Sequence, residues 1–291
     1  MKSEWDFGTV IGLLAGIFCV YISMIWPEPV RDNIIATTGG GFRFEQVGWF
    51  FQAQSVFIVI GGVLSATLVN YPIKAVLRLG IVFKNVILSE KFDFTGTIDK
   101  IVSLAEKARK DGLLSLEAGL NDIDSVFLRN GVELAINERD SSRLRTFLTM
   151  DLNNIATRHI GAQEIILYMA AYAPAFGMLG TVLGLIIMMN KFQMSGETTS
   201  IDFNVADQFS ELLTGMGTAL ITTFYGVFLA NLVFLPIAGK LKRRSENELM
   251  LKNIVLEGII SIHGREHPIL IREKLMTFVA LSERKTLENK E

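Results

Sequence analysis

The residues of this 291-residue chain that could carry out chemistry are few. There is one cysteine, Cys19, and there are three histidines, His159, His263 and His267. A single thiol excludes an intrachain disulfide and any multi-cysteine metal site, and the histidines lack the HExxH spacing of a zinc hydrolase. The sequence therefore predicts no metal site and no cofactor, and it argues against an enzyme.

Hydroxyl groups are the remaining chemical resource, and they gather in two apolar stretches of the second half. The threonines concerned are Thr181, Thr214, Thr218, Thr222 and Thr223. Three of them, at 214, 218 and 222, recur every four residues and so share one helical face. They predict a polar seam that could border a hydrated path. The simpler explanation for any single threonine is a bond to the carbonyl four residues earlier.

The same two stretches contain prolines and small residues. Pro174 and Pro236 each remove a helical hydrogen bond, which frees the carbonyls of Ala170 and Leu232. At membrane depth a freed carbonyl is tolerated where it meets protein or water, although a simple kink is the alternative. Small residues at helical spacing predict close packing with another helix, and they are Ala173, Gly177, Gly180 and Gly184.

Four stretches without Asp, Glu, Lys or Arg must position these groups: residues 7–26, 47–69, 165–190 and 212–239. About 20 residues suffice for a helix to cross the hydrocarbon core, so each stretch can span a membrane. A proton or cation site within a membrane normally needs an ionisable side chain. None of the four stretches has an acidic, basic or imidazole side chain, so any ion-binding carboxylate has to come from a partner chain.

Basic residues between the spans predict the orientation. Segment 70–164 carries 13 Lys and Arg and the tail 240–291 carries 11, whereas the loops 27–46 and 191–211 carry three together. The positive-inside rule therefore places both termini and the long central segment in the cytoplasm. The net charge of −2, without a basic tract interleaved with aromatic residues, argues against a nucleic-acid partner and leaves the lipid bilayer as the surroundings.

The predicted fold is an all-α integral membrane protein in four parts. Residues 1–70 hold the first two transmembrane helices, 71–164 form a cytoplasmic helical domain, 165–239 hold the third and fourth transmembrane helices, and 240–291 form a helical cytoplasmic tail. Apolar residues at helical spacing support helices in both cytoplasmic parts. Gly112 and Gly131 predict breaks within the central domain, and Gly264 with Pro268 predicts one in the tail.

Four runs of residues resemble the MotA/PomA family of flagellar stator subunits, which is part of the MotA/TolQ/ExbB superfamily. The resemblance spans nearly the whole chain and is specific when the runs are taken together. They are 104–117 (LAEKARKDGLLSLE), 172–185 (YAPAFGMLGTVLGL), 220–226 (LITTFYG) with 234–238 (FLPIA), and 258–264 (GIISIHG) followed by Pro268 and 272–275 (REKL).

This resemblance implies a pentameric ring in the bacterial inner membrane around a single-span MotB/PomB-type partner. The partner's intramembrane aspartate would bind the ion, and so would supply the carboxylate that this chain lacks. Pro174 and Pro236 match family prolines that shape the channel. Arg109 and Glu117 match a charged pair that contacts the rotor protein FliG, although spacing alone would suggest two solvated charges.

The resemblance also bears on the coupling ion. Thr181, Thr222 and Thr223 resemble the threonines of sodium-driven members of the family. A transient sodium ion held by Thr181, Thr223 and the partner's aspartate suits the preference of hard cations for oxygen ligands. The proton remains the alternative ion.

Two other functions stay open at this point. A TolQ/ExbB-type energiser of envelope transport shares the channel but typically has three spans and an outside N-terminus. A membrane scaffold that conducts no ions would use the small residues for oligomerisation alone.

Overall fold

The computed structural model describes residues 3–5, 7–25, 47–90, 92–197 and 205–279. Eleven α-helices lie in these ranges, together with two π-helical segments, one 3-10 segment and two short strands. In chain order they are β1 (Ser3–Trp5), α1 (Phe7–Ile25), α2 (Val47–Phe50), α3 (Ala53–Val56), the first π segment (Phe57–Gly61), α4 (Gly62–Asn70), α5 (Ile73–Ile87), β2 (Leu88–Glu90), α6 (Phe94–Asp111), the 3-10 segment (Leu113–Asp122), α7 (Val126–Asn137), α8 (Ser141–Glu197), α9 (Val205–Phe228), the second π segment (Leu229–Phe234), α10 (Leu235–His263) and α11 (Pro268–Met276).

The chain divides into two compact units. The span unit comprises Glu4–Ser89 and Ala162–Lys240, and the core unit comprises Met1–Ser3, Glu90–Gly161 and Leu241–Glu291. The fold is helical as predicted, and the pairing of β1 with β2 is the one feature of strand type among the described residues. The predicted boundaries at 164/165 and 239/240 fall inside α8 and α10, which continue through them.

The span unit holds helices long and apolar enough to cross a membrane. Three helices meet both conditions in the described part of the chain, and the last two of them continue beyond the span unit: Ala53–Asn70, Ser141–Asn190 and Leu212–His263. The apolar part of α1, Ile11–Ser23, is shorter. The predicted outer loop 27–46 and residue 26 lie outside the described residues, as does the middle of the other predicted outer loop, 198–204.

Large apolar side chains are exposed along these helices of the isolated chain, among them Phe18, Phe57, Val182 and Leu220. Exposure of contiguous apolar surface to water is unfavourable, whereas contact of that surface with lipid or with another protein chain is favourable. The exposure is therefore what a membrane helix requires.

The core unit is built around one cluster of buried aliphatic side chains. Helices α6, α7, α10 and α11 and the first part of α8 contribute to it, and its fully buried members include Ile98, Ile101, Leu144, Ile254 and Ile271. Most of these residues recur at intervals of three or four, as the sequence pattern predicts for amphipathic helices. Burial of each such side chain contributes about 1.5–3 kcal/mol.

Two of the three predicted helix breaks are confirmed. Gly112 follows α6 with a φ of 85°, a conformation that favours glycine, and α10 ends before Gly264. The break at Gly131 is wrong, because this residue lies inside α7. A side chain at this position would collide with Ile259 of α10, so the glycine permits close helix packing.

An ion-pair cluster fastens the tail helices to α8. Arg145 donates hydrogen bonds to both carboxylate oxygens of Glu257, at 2.7 and 3.1 Å. Lys274 of α11 approaches the same carboxylate to 3.4 Å and donates to the buried hydroxyl of Ser261 at 3.0 Å. The hydrogen bond from Arg145 lowers the pKa of Glu257, against an opposing effect of burial.

This lowered pKa predicts that acid weakens the core unit. A carboxylate with a depressed folded-state pKa stabilises the fold above its unfolded pKa, and that contribution is lost as the pH falls through the folded value. In Glu257→Gln we expect a smaller fall of the thermal unfolding midpoint between about pH 5 and pH 3 than in the parent chain. Glu133→Gln, an exposed change on α7, is the control. An unchanged acid dependence in Glu257→Gln would exclude this carboxylate as the source.

Candidate functional site

The small-residue stripe of α8 lies directly against α9. A Cβ atom built on Gly177 would lie 3.1 Å from the carbonyl oxygen of Thr222, and one on Gly184 would lie 3.2 Å from Cβ of Ala219. Ala173 is fully buried in the same stripe. The two backbones therefore approach as closely as only small residues allow.

α9 contributes its own glycine to this crossing. A Cβ on Gly226 would lie 2.6 Å from the carbonyl oxygen of Ala173, 3.1 Å from Cα of Gly177 and 3.2 Å from Cα of Pro174. These are backbone atoms, which cannot turn aside as a flexible side chain can. Sequence reasoning named the stripe on α8 but missed Gly226, although the residue stands at the end of the run that carries the resemblance.

The predicted ion-path threonines all donate their hydroxyl protons within their own helices. Thr181 donates to the carbonyl of Met178 at 2.6 Å, and Thr222 donates to that of Ala219 at 2.7 Å. Thr223 shares the Ala219 carbonyl at the longer distance of 3.5 Å. A hydroxyl that donates a hydrogen bond keeps its oxygen lone pairs, so these oxygens remain available as acceptors.

The three threonines of the predicted polar seam differ in their burial and in their contacts. Thr222 is fully buried, and its side chain covers Gly180, which has no Cβ to collide with it. Thr214 is exposed in the isolated chain and donates to Ser210. Thr218 lies between them and donates to Thr214 at 3.0 Å.

A glutamine that the sequence analysis did not single out forms a hydrogen bond with one of these threonines. Gln52, just before α3, donates from Nε2 to the hydroxyl oxygen of Thr218 at 2.8 Å and accepts from the fully buried Ser55 at 3.0 Å. Tyr225 of α9 donates to the carbonyl oxygen of Phe50 nearby. The signal that could have found Gln52 is its position as a polar side chain early in the second apolar stretch.

The two prolines occupy different surroundings. Pro174 is half-buried inside α8, beside Gly226 of α9. Pro236 is exposed and follows the second π segment, where the N–H of Leu235 bonds to the carbonyl of Ala230. A π turn shifts the hydrogen-bond register of a helix, and such turns are frequent at functional sites.

Arg109 and Glu117 lie on different elements. Arg109 is in the last turn of α6, Glu117 is in the 3-10 segment, and Gly112 separates them. Both side chains are exposed, and between them the apolar Leu114 is 73% exposed. This surface presents a cation, an anion and an apolar group to the solvent.

The histidines serve structural contacts in the core unit. His159 lies 2.9 Å from the hydroxyl of Ser245 and 3.9 Å from Glu248, and burial lowers its pKa. His263 bonds to the carbonyl oxygen of Glu138, and His267 caps α11. No group of three or more potential metal ligands occurs in the part of the chain that the structure describes.

Comparisons with known proteins agree on one family. A family profile described as "MotA/TolQ/ExbB proton channel family" matches residues 120–253. Motility protein A of Borreliella burgdorferi is 34% identical over 247 residues, covering 84% of this chain and 88% of that protein. Chemotaxis protein PomA of Vibrio alginolyticus is 27% identical over 274 residues, covering 94% and 95% of the two chains.

A solved structure extends this similarity to the fold. The flagellar MotAB stator complex from Bacillus subtilis contains a chain that matches with a TM-score of 0.77 at 25% identity. The match covers 96% of this chain and 98% of that chain.

Proposed function

The chain belongs to the MotA/TolQ/ExbB proton channel family as a flagellar stator subunit. We propose that it couples ion flow through the membrane to torque on the rotor protein FliG, which Arg109 and Glu117 would contact. The observation that carries the proposal is that the four apolar stretches contain no Asp, Glu, His, Lys or Arg. Two of these stretches also hold the predicted ion-path threonines, Pro174 and Pro236, and the close crossing of α8 and α9.

In this proposal four helices cross the inner membrane and both termini face the cytoplasm. The concentration of Lys and Arg in 70–164 and 240–291 supports this orientation. The core unit then lies in the cytoplasm, where its charged surface is solvated.

The partner we propose is a single-span protein of the MotB type whose intramembrane aspartate binds the ion. The similarity to a chain of a MotAB stator complex supports such a partner. Several copies of this chain, five by the family resemblance, would surround it. The exposed apolar side chains of the span unit supply the surface that such an assembly and the lipid would cover.

For the coupling ion we propose sodium. Thr181 and Thr223 each donate to their own helix, so their oxygens can face a cation as acceptors only. Sodium is a hard cation and, by the preference known for Ca²⁺ and Mg²⁺, suits such oxygen ligands.

Removal of the Thr181 hydroxyl is expected to end this sodium dependence. Swimming speed should rise with external sodium in the parent strain and become insensitive to it in Thr181→Ala. Thr67→Ala is a matched control, because Thr67 is a buried span threonine that likewise donates to its own helix, at 2.7 Å to Val63. Parent motility that ignores external sodium would contradict the choice of ion.

The proposal as a whole is tested by purification and ion flux. The chain should co-purify with a single-span, aspartate-bearing protein, and the complex in liposomes should conduct sodium or protons. Replacement of that aspartate by asparagine should abolish the flux, which distinguishes a channel from vesicle leakage. Absence of both partner and flux would favour a scaffold.

A further inference from the structure

The 3-10 segment that carries Glu117 has an unusual conformation for its length. It runs for ten residues, whereas 3-10 helices longer than three or four residues are uncommon because their hydrogen-bond geometry is poorer. The hydrogen bonds within the segment therefore stabilise its conformation only weakly. The surroundings must hold it in place.

The first half of the segment is held by a turn and a buried side chain. Gly112 turns the chain with its positive φ, and the hydroxyl of Ser115 donates to the Gly112 carbonyl at 2.7 Å. Leu116, at 1% exposure, anchors the middle of the segment in the hydrophobic core. Its neighbours Leu114 and Glu117 face outward.

The end of the segment is held by Arg129. One terminal nitrogen of this guanidinium donates to the carbonyl oxygen of Ile123, the residue that closes the segment, at 2.6 Å. Arg129 itself stands on α7, whose neighbouring residues Leu128 and Val132 are almost fully buried. The backbone that carries the donor is therefore held in place by the packing of α7. A charged donor also makes one of the stronger hydrogen bonds in proteins.

The position of Arg129 leaves one of its nitrogen atoms without a hydrogen bond. Its Nε is buried without a hydrogen-bond partner, the one such side-chain atom in the described ranges. A buried, unpaired donor is unfavourable, and an apolar side chain of similar length would avoid it. Fold stability alone thus gives no reason for an arginine here, whereas the contact with Ile123 does. The nearby ion pair Lys100–Asp124, at 64% and 89% exposure, is a poor substitute because exposed pairs contribute little.

We infer that Arg129 is a positioning residue that holds the 3-10 segment, and with it Glu117, in the conformation presented to the rotor. This inference rests on the proposed rotor contact of Glu117. A hydrogen bond from a charged donor shifts the ratio of docked to undocked segment by about tenfold to a hundredfold. Without it, the anion would no longer stand at a fixed place relative to Arg109.

Electron spin resonance tests the tether directly. Spin labels are placed at the exposed positions 106 and 118 (Glu106→Cys, Ala118→Cys) in a Cys19→Ser background, and the purified complex is diluted with unlabelled chain. In Arg129→Met the distance distribution should broaden, in Arg129→Lys it should broaden less, and in the exposed control Arg139→Met it should stay as narrow as in the parent. The thermal unfolding midpoint of Arg129→Met should stay within about 4 °C of the parent. A distribution that stays narrow, or a broad one accompanied by a large fall in the midpoint, would overturn the inference.

Motility and flux then connect the tether to its use. We expect Arg129→Met to lose swimming and keep ion flux in liposomes, and Arg129→Lys to restore swimming in part. Unchanged swimming in Arg129→Met would overturn the positioning role, provided that charge reversal at Arg109 and Glu117 stops motility. If that charge reversal also leaves swimming unchanged, the rotor contact itself fails.

Discussion

Cells that carry Arg109→Glu together with Glu117→Lys are expected not to swim, although the protein should reach the membrane in normal amounts. Both side chains are exposed, so their exchange disturbs no buried contact. Because they lie on two elements on either side of Gly112, the proposed rotor contact requires an oppositely charged partner for each of them. Reversal turns two attractions into two repulsions, and like charges brought together at an interface cost several kcal/mol. The measurements are motility in soft agar and the torque on a tethered cell.

A control with the same change of charge separates position from net charge. Arg139→Glu with Asp151→Lys also exchanges one exposed cation and one exposed anion, elsewhere in the core unit. These cells should swim normally. If motility survives the exchange at positions 109 and 117, the rotor contact is removed from the proposal. If both double variants lose motility equally, the loss is a non-specific effect of the charge changes and does not locate the rotor contact at positions 109 and 117.

The second large effect is expected in Gly226→Ala. The added methyl group would lie 2.6 Å from the carbonyl oxygen of Ala173 and 3.1 Å from Cα of Gly177. Neither backbone atom can move alone, so α8 and α9 must separate, and overpacking of this kind costs about 1–3 kcal/mol. The thermal unfolding midpoint in detergent should fall by about 3–10 °C. Swimming should stop, because the helix crossing that carries the threonines is displaced.

Gly217→Ala is the matched control on the same helix. A Cβ at Gly217 meets nothing within 4 Å, so alanine fits there and improves the helix propensity. This variant should be as stable as the parent or slightly more so. If Gly226→Ala behaves in the same way, the close crossing of α8 and α9 is not present in the working complex.

The sequence predicts most of the helical architecture because membrane spans and amphipathic helices leave strong patterns. The charge-free stretch 165–190 lies within α8, and the buried Ile98 and Ile101 follow the predicted helical stripe. The pattern around Gly112 also shows where α6 ends. Each of these predictions depends on residues close together in the chain.

The remainder depends on contacts between residues far apart in the chain. Gly131 resembles a helix break until Ile259, more than a hundred residues later, is seen to occupy the space beside it. Gln52 looks like an isolated polar residue until Thr218 is found 2.8 Å away. Arg129 is a nearer case, since it donates to Ile123 only six residues earlier, but the two residues lie on different elements and no helical spacing links them. Patterns of three or four residues contain no information about such neighbours.

The hydroxyl bonds of the threonines bear on how a charge can move beside them. Proton hopping requires each group in a relay to accept a proton on one side and release another on the other side. The protons of Thr181, Thr222 and Thr218 are already held by carbonyls of their own helices, at 2.6, 2.7 and 3.0 Å. Each transfer would first have to break one of these bonds. If these threonines line the proposed path, their hydroxyls are poor relays for hopping protons, and a passing charge would be carried by water molecules or by a metal cation and not by the side chains.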